Sequence, residues 1–320
     1  MAKTVLIVGA AGQDGTLLSR WHRRCGDHVI GLSRSGMIEG RTRLAAGVDL
    51  CDSEAASGVI ERFQPHTIYY LAAYHHSSED RPTGEQAEDL RVLFRRSADT
   101  NLLGWLNWLA AADRARTRPR LFYASSSLVF GAQTDVADEE TPIAPMNPYA
   151  ITKAAAMQAA DFYRRNRDLH VSIGILFNHE SIRRSASFVT RKISIAAARA
   201  ALGVSEPLTL RNPWATVDWT AAEDAVSAMS LICDQDVPGT YVIGSGSTRS
   251  VLEFTEEAFG ALDLPMPDVE HPAGVQPSQG IAARADRLKG LGWVPRYPWP
   301  VWVHRMARAD LRLRRMRSSA

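Results

Sequence analysis

The chain has 320 residues, 45% of them apolar and 22% charged, with 37 basic against 35 acidic side chains and a net charge of +2. That is enough for one large or two modest domains with a sizeable core, and it excludes a strong field that would steer the chain to nucleic acid or a membrane surface. Cys25, Cys51 and Cys233 are scattered, with no metal spacing and no disulfide framework, and neither a signal peptide nor a bilayer-spanning run is present, so a cytoplasmic protein without metal is expected.

The first predicted element is a strand over Thr4 to Val8, a continuous apolar run of the kind buried on both faces of a parallel sheet. Gly9-Ala-Ala-Gly12-Gln-Asp-Gly15 follows, then a helical pattern through Leu17, Leu18 and Trp21. Glycines at such a turn let backbone amides approach a pyrophosphate at a helix N-terminus. A second strand, His28 to Leu32, ends at Ser33-Arg34-Ser35. NAD sites usually carry Asp or Glu there, whereas an arginine suits a 2′-phosphate, so NADP is expected and NAD is the alternative.

Gly47-Val-Asp49-Leu50 reads as the end of a third strand, with Asp49 placed to meet an adenine. Asp52 caps a helix that stops before Pro65. Thr67 to Ala73 is a fourth strand, opening into Tyr74-His75-His76-Ser77-Ser78 at a carboxyl end, where ligands of such sheets bind. Substrate contact is favoured there over metal, because adjacent side chains rarely point at one ion. Residues 79–88, with Pro82 and Gly84, read as a lid or a long surface loop. The apolar helix around Asn101 to Leu109 should bury Trp105 and Trp108.

Leu121 to Ser127 is a strand ending in three hydroxyls, and a loop with Pro142, Pro145 and Pro148 leads to Tyr149 and Lys153. Four residues apart on a helix, those two side chains share a face. An ammonium near a phenol favours the phenolate, so Tyr149 is expected to act as a base near neutral pH, with a serine holding the substrate hydroxyl. A lone Tyr-x-x-x-Lys is common; together with the glycine turn it points to hydride chemistry. His170 to Phe177 is a sixth strand. Strands alternating with helices through this half predict a doubly wound parallel α/β sheet.

After Ser181 the pattern changes. Arg183, Arg184, Arg191 and Lys192 cluster and could clamp a diphosphate. Ala222 to Ile232 reads as a helix returning to the main domain. The arginine-rich tail reads as a solvated helix face.

Together these residues resemble the extended short-chain dehydrogenase/reductase superfamily, and within it the GDP-mannose 4,6-dehydratase family. The matching blocks are Gly9 to Gly15, Leu71-Ala72-Ala73 with His76, Asn147 to Lys153, and Gly174 to Ser181 continuing through Arg184 to Ile193. The resemblance implies a Rossmann-type NAD(P)-binding domain over 1–178 with a returning segment near 213–235. It implies a smaller nucleotide-sugar-binding part over 179–212 and 236–320, and a homodimer or homotetramer. It assigns Gly9, Gly12, Gln13, Asp14, Gly15, Arg34, Asp49, Leu50, Leu71, Ala72, Ala73, Tyr149 and Lys153 to the cofactor. His76, Ser127, Asn178, Arg184, Val189 and Lys192 fall to the substrate, and Ser126, Tyr149 and Lys153 to catalysis.

The sequence also departs from that family. Leu128 stands where the family has the glutamate that removes a C5 proton, Val217 where it has an arginine, and His271-Pro-Ala-Gly274 where it has Arg-Pro-x-Glu. With oxidation chemistry present and elimination chemistry lacking, a nucleotide-sugar C4 epimerase is the favoured reading. A 4-keto-sugar reductase comes second and a dehydratase with a substitute base (Glu139, Glu180 or His76) third. A silent nucleotide-binding regulatory subunit is the alternative outside enzymes.

Overall fold

The computed structural model describes residues 2–39, 42–45, 47–75, 89–132, 134–204 and 206–318. Strand β1 (Thr4–Val8) runs through the glycine turn into α1 (Gln13–Arg24), and β2 (His28–Ser33) lies parallel to β1 with Ile30 opposite Leu6. The chain then turns at Arg34 and Ser35 into an antiparallel pair, β3 (Gly36–Glu39) and β4 (Thr42–Ala45). This corrects the expected third strand: residues 47–50 form none, and the edge position is taken by a hairpin. Local hydrogen bonding favours the turn, because the Ser33 hydroxyl donates to the Gly36 carbonyl at 3.0 Å.

Helix α2 (Ser53–Phe63) is capped by Asp52, whose carboxylate accepts from the amides of Glu54 and Ala55, as its sequence position predicts. Strand β5 (Thr67–Tyr70) returns beside β1. Helix α3 (Leu90–Ala98), a π-helical turn over Asp99–Leu103 and α4 (Gly104–Arg114) follow one another without a break, and α4 buries Trp105 and Trp108 completely. Strand β6 (Arg120–Ser126) ends in a single 3-10 turn, Ser127–Phe130. Then come β7 (Val136–Ala137), α5 (Pro148–Asn166), β8 (Val171–Leu176) and β9 (Asn178–Glu180).

The remainder comprises α6 (Val189–Ala200), β10 (Leu208–Thr209), β11 (Thr216–Ala221), α7 (Ala222–Cys233), β12 (Thr240–Ile243), β13 (Thr248–Ser250) and α8 (Val251–Gly260). It ends with β14 (Val269–Glu270), β15 (Ala282–Ala283), α9 (Asp286–Gly290) and α10 (Trp299–Ser318).

Among the described residues the main sheet has eight strands in the order β12-β8-β6-β5-β1-β2-β3-β4. All neighbours from β12 to β2 are parallel. Helices cover both faces, so the inner strands are buried on both sides and read as unbroken apolar runs. One core cluster follows this sheet; a second gathers Ile193, Leu208, Leu210, Trp219, Phe254 and Trp302 around α6, α8 and α10. Strand β12 pairs with β8 in the main sheet, and Trp293 packs in the first cluster. Both come from the stretch 236–320, which was expected in the smaller part. Buried Asp218 joins the two regions, accepting from the amides of Ser245, Gly246 and Ala283 at 2.8–2.9 Å. No helix among the described residues is long and apolar enough to cross a membrane.

Candidate active site

A cavity of about 1020 Å³ opens at the carboxyl ends of β1, β2 and β5. Gly9, Gly12, Arg34, Asp49, Leu50, Leu71, Ala72 and Ala73 all line it, so these expected cofactor contacts are brought together. Gly9 sits at φ +93°, and a Cβ there would stand 2.7 Å from the Ala72 nitrogen, so this turn closes only around glycine. Gly12 caps α1 without a side-chain hydrogen bond, which leaves the helix's first amides and its positive dipole end for an anion. A Cβ on Gly47 would stand 2.3 Å from the Arg34 carbonyl oxygen, so the 47–50 stretch lies directly on the turn that carries Arg34. Arg34 makes no ion pair among the described residues and opens on the cavity. Helix amides without a side-chain cap and a guanidinium on the cavity wall suit a dinucleotide.

The side chains of Gln13 and Asp14 are engaged within the protein. Their side chains turn to β9: the Gln13 amide donates to the His179 carbonyl at 2.9 Å and accepts from the Ser181 hydroxyl, and Asp14 pairs with His179 at 2.9 Å. Burial raises the Asp14 carboxyl, but the His179 imidazolium and Arg184 outweigh it and hold it below its usual range. Burial pulls His179 down, and Asp14 more than restores it, leaving it raised. What these two residues can offer a cofactor is therefore their backbone at the helix start. Gly15 is buried in the first turn of α1.

Asn147 caps α5, accepting from the Ala150 amide at 2.9 Å, with Pro148 as the first helical residue. That fixes Tyr149 at the helix start and Lys153 one turn later. Ser126, at the end of β6, lies near enough to the Tyr149 hydroxyl to pull its pKa down. Lys153 is buried, donates to the Ala124 carbonyl at 2.7 Å and lies 5.7 Å from the Tyr149 ring centroid. The three expected catalytic side chains thus converge.

Their protonation does not follow the expectation. Burial pushes the Tyr149 phenol up to about 12, more than Ser126 and Arg184 pull it down. Burial alone brings the Lys153 ammonium down to about 7. The protein's own groups therefore hold Tyr149 as the phenol, because desolvation of two charges exceeds their mutual attraction at this distance.

The basic cluster divides. Arg191 is buried, hydrogen-bonded to Asp310 and to the Arg184 carbonyl, and cannot clamp a substrate. Arg183 is exposed. Arg184 pairs with Glu180 at 3.2 Å and lies over the Phe188 ring at 4.1 Å, while its Nε is buried without a hydrogen-bond partner among the described residues. Val189 begins α6, and Lys192 one turn on lines a second cavity of about 640 Å³ rather than the first. Asn178 is exposed at the start of β9, and Ser127 opens the turn after Ser126. His76 and residues 79–88 lie outside the described residues.

Two proposed substitute bases are engaged elsewhere: Glu139 accepts from the Val242 amide at 2.7 Å, and Glu180 from the Thr190 hydroxyl at 2.5 Å. Leu128 is 43% exposed. The residue that reasoning from the sequence underweighted is His75, whose ring centroid lies 4.4 Å from that of Tyr149. Its signal was its place in the polar cluster after β5.

A doubly wound sheet, a glycine turn at its first crossover and a Tyr-x-x-x-Lys helix facing a serine at a strand end define a nucleotide-dependent short-chain dehydrogenase/reductase fold. The chain belongs to the GDP-mannose 4,6 dehydratase family, whose model matches residues 6–283. A GDP-mannose 4,6-dehydratase of Sinorhizobium fredii is 37% identical over 80% of this chain and 76% of its own length. GDP-mannose 4,6 dehydratase 2 of Arabidopsis thaliana is 33% identical over 97% and 87%. Among solved structures, RMD from Pseudomonas aeruginosa complexed with NADPH superposes with a TM-score of 0.79 over 97% of this chain and all of its own, at 20% identity.

Proposed function

We propose that this chain binds NADP in the cavity beside β1, β2 and β5 and acts on a nucleotide sugar through a 4-keto-sugar, with C4 epimerisation as the outcome. The observation that carries this reading is Lys153, which lies 5.7 Å from the Tyr149 ring centroid and is hydrogen-bonded to the Ala124 carbonyl near the end of the strand that carries Ser126. Bound NADP would supply hydride exchange at the sugar carbon. Ser126 holds the C4 hydroxyl, and Tyr149 exchanges the proton on that oxygen. Lys153, with its ammonium near neutrality, can shift its charge when its surroundings change. Arg184, whose Nε has no hydrogen-bond partner among the described residues, is the cation assigned to a substrate phosphate.

Leu128 selects the outcome. A leucine transfers no proton, so elimination lacks a group of the kind worth roughly 10²–10⁴-fold in rate. Epimerisation at C4 needs proton exchange only at the C4 oxygen, which Tyr149 supplies in both directions. The phenol's preference for its protonated form favours a second reading, a 4-keto-sugar reductase in which Tyr149 donates.

The purified protein separates these readings by absorbance in the reduced-nicotinamide band. Cofactor that stays bound and is not consumed supports the epimerase; NADPH consumption with a 4-keto-sugar supports the reductase. Tyr149→Phe should lower turnover by about 10²-fold or more while leaving NADP affinity unchanged. Full turnover in that variant would remove the assigned acid–base group.

A further inference from the structure

Two chain segments meet beside Ser126 and Tyr149. The 3-10 turn Ser127–Phe130 follows Ser126 directly, and the Leu128 amide donates back to the Ser126 hydroxyl at 3.3 Å. Residues 142–147 run into the first turn of α5, where Tyr149 stands. The two segments touch: the Ala144 amide donates to the Val129 carbonyl at 2.8 Å, and a Cβ on Gly131 would stand 3.5 Å from the Met146 Cγ. Together they expose Leu128, Ile143 and Met146, the last at 75%. Neither residues 127–131 nor residues 142–147 include an ionisable side chain. Their polar side chains are Ser127 and Asn147, and the Asn147 oxygen is taken by the cap of α5. Three apolar side chains are far fewer than the roughly 20–30 residues a side of a stable protein interface. They suit a small ligand with one apolar edge.

We infer that Leu128, with Ile143 and Met146, forms an apolar wall that selects a 6-deoxyhexose, a sugar with a methyl group where an ordinary hexose carries CH2OH. This rests on the nucleotide-sugar reading above and names its substrate more closely. With the C4 oxygen at Ser126 and Tyr149, a side chain two residues beyond Ser126 borders the carbons next to C4. One of these, C5, bears the exocyclic C6, the carbon group that reaches furthest from the ring. An apolar wall gains from burying a methyl there and leaves a hydroxyl without a partner. The 4-keto form of such a sugar is a hexose less one water. A dehydration on another protein therefore supplies it, and Leu128, which transfers no proton, is not required to perform that step.

Calorimetry on the NADP-loaded, full-length protein compares GDP-mannose with GDP-D-rhamnose, its 6-deoxy counterpart. The 6-deoxy sugar should bind about tenfold to a hundredfold tighter. Leu128→Gln, which offers a donor and an acceptor at that place, should bring the ratio close to one while leaving NADP affinity unchanged. Met146→Gln should narrow the ratio in the same direction, and it carries the test if Leu128→Gln fails to fold by circular dichroism. Equal binding of the two sugars by the wild type overturns the inference, as does a preference that survives in folded Leu128→Gln. Loss of both sugars together in that variant would make Leu128 a contact without selectivity and overturn it as well. Failure of the 4-keto reading looks different: the 6-deoxy sugar would bind with its preference intact and be recovered with C4 unchanged. Binding of neither sugar would overturn this inference together with the nucleotide-sugar reading.

Discussion

Lys153 is the residue whose chemistry and stability are most closely joined. It is 1% exposed, its ammonium donates to the Ala124 carbonyl, and it lies 4.7 Å from the Tyr123 ring centroid. Burial lowers it from 10.5 to about 7. Between those values the unfolded chain holds a proton that the folded chain has released, so stability rises with pH across the window. Below about 7 the charge is present in both states and the full desolvation cost applies. Comparing the melting temperature of the wild type with that of Lys153→Met isolates this group. The wild type should gain on the variant from pH 7 to pH 10, and a constant difference would mean the ammonium keeps its charge in the fold. Tyr149 shows the same physics: burial favours the neutral form of each group, which raises the phenol where it lowers the ammonium.

The hairpin of β3 and β4 and the glycine-permitted approach of residue 47 present Arg34 to the cavity. A phosphate contact to a guanidinium is a charge-assisted hydrogen bond, typically worth ~1.5–3 kcal/mol, or about tenfold to a hundredfold in affinity. Arg34→Ala should therefore weaken NADP by about that factor and leave NAD nearly unchanged, as read by calorimetric titration of each cofactor. Equal losses for both would refute the 2′-phosphate contact. The α3–π–α4 rod has a comparable positioning role. Buried Asn101, in the π-helical turn, accepts from the Tyr74 amide and donates to the Thr152 hydroxyl, each at 3.0 Å. It thereby ties the loop that carries His75 to the helix that carries Tyr149.

At the scale of the whole molecule, one group of exposed apolar side chains sits on the paired helices α3 and α5. α3 packs against α5, and together they expose Leu90, Val92, Phe94, Ile151 and Phe162, the last at 56%. Apolar side chains presented in series by neighbouring helices fit a face covered by a second copy. We expect Phe162→Arg to shift the protein toward monomer in analytical ultracentrifugation with its fold intact by circular dichroism. A wild type that is already monomeric at micromolar concentration would place the homodimer elsewhere or nowhere.

The glycine turn before α1, the capping of α2 by Asp52 and the pairing of Tyr149 with Lys153 were legible in the sequence because each is set by neighbours a few residues apart. The same holds for the alternation of strands and helices, which follows from local periodicity and predicts the parallel sheet. Side-chain partners were not legible. Gln13 and Asp14 turn to β9 from more than 160 residues away, and Arg191 is neutralised by Asp310 at a separation of 119. The hairpin at the sheet edge replaced an expected parallel strand because a serine-stabilised turn at residues 33–36 reverses the chain first. Which histidine meets the tyrosine, and whether a lysine charges or discharges it, depends on distances and burial that arise only when the layers pack. Sequence spacing fixes what lies along one element; the partner across the gap, and the water excluded from it, belong to the tertiary structure.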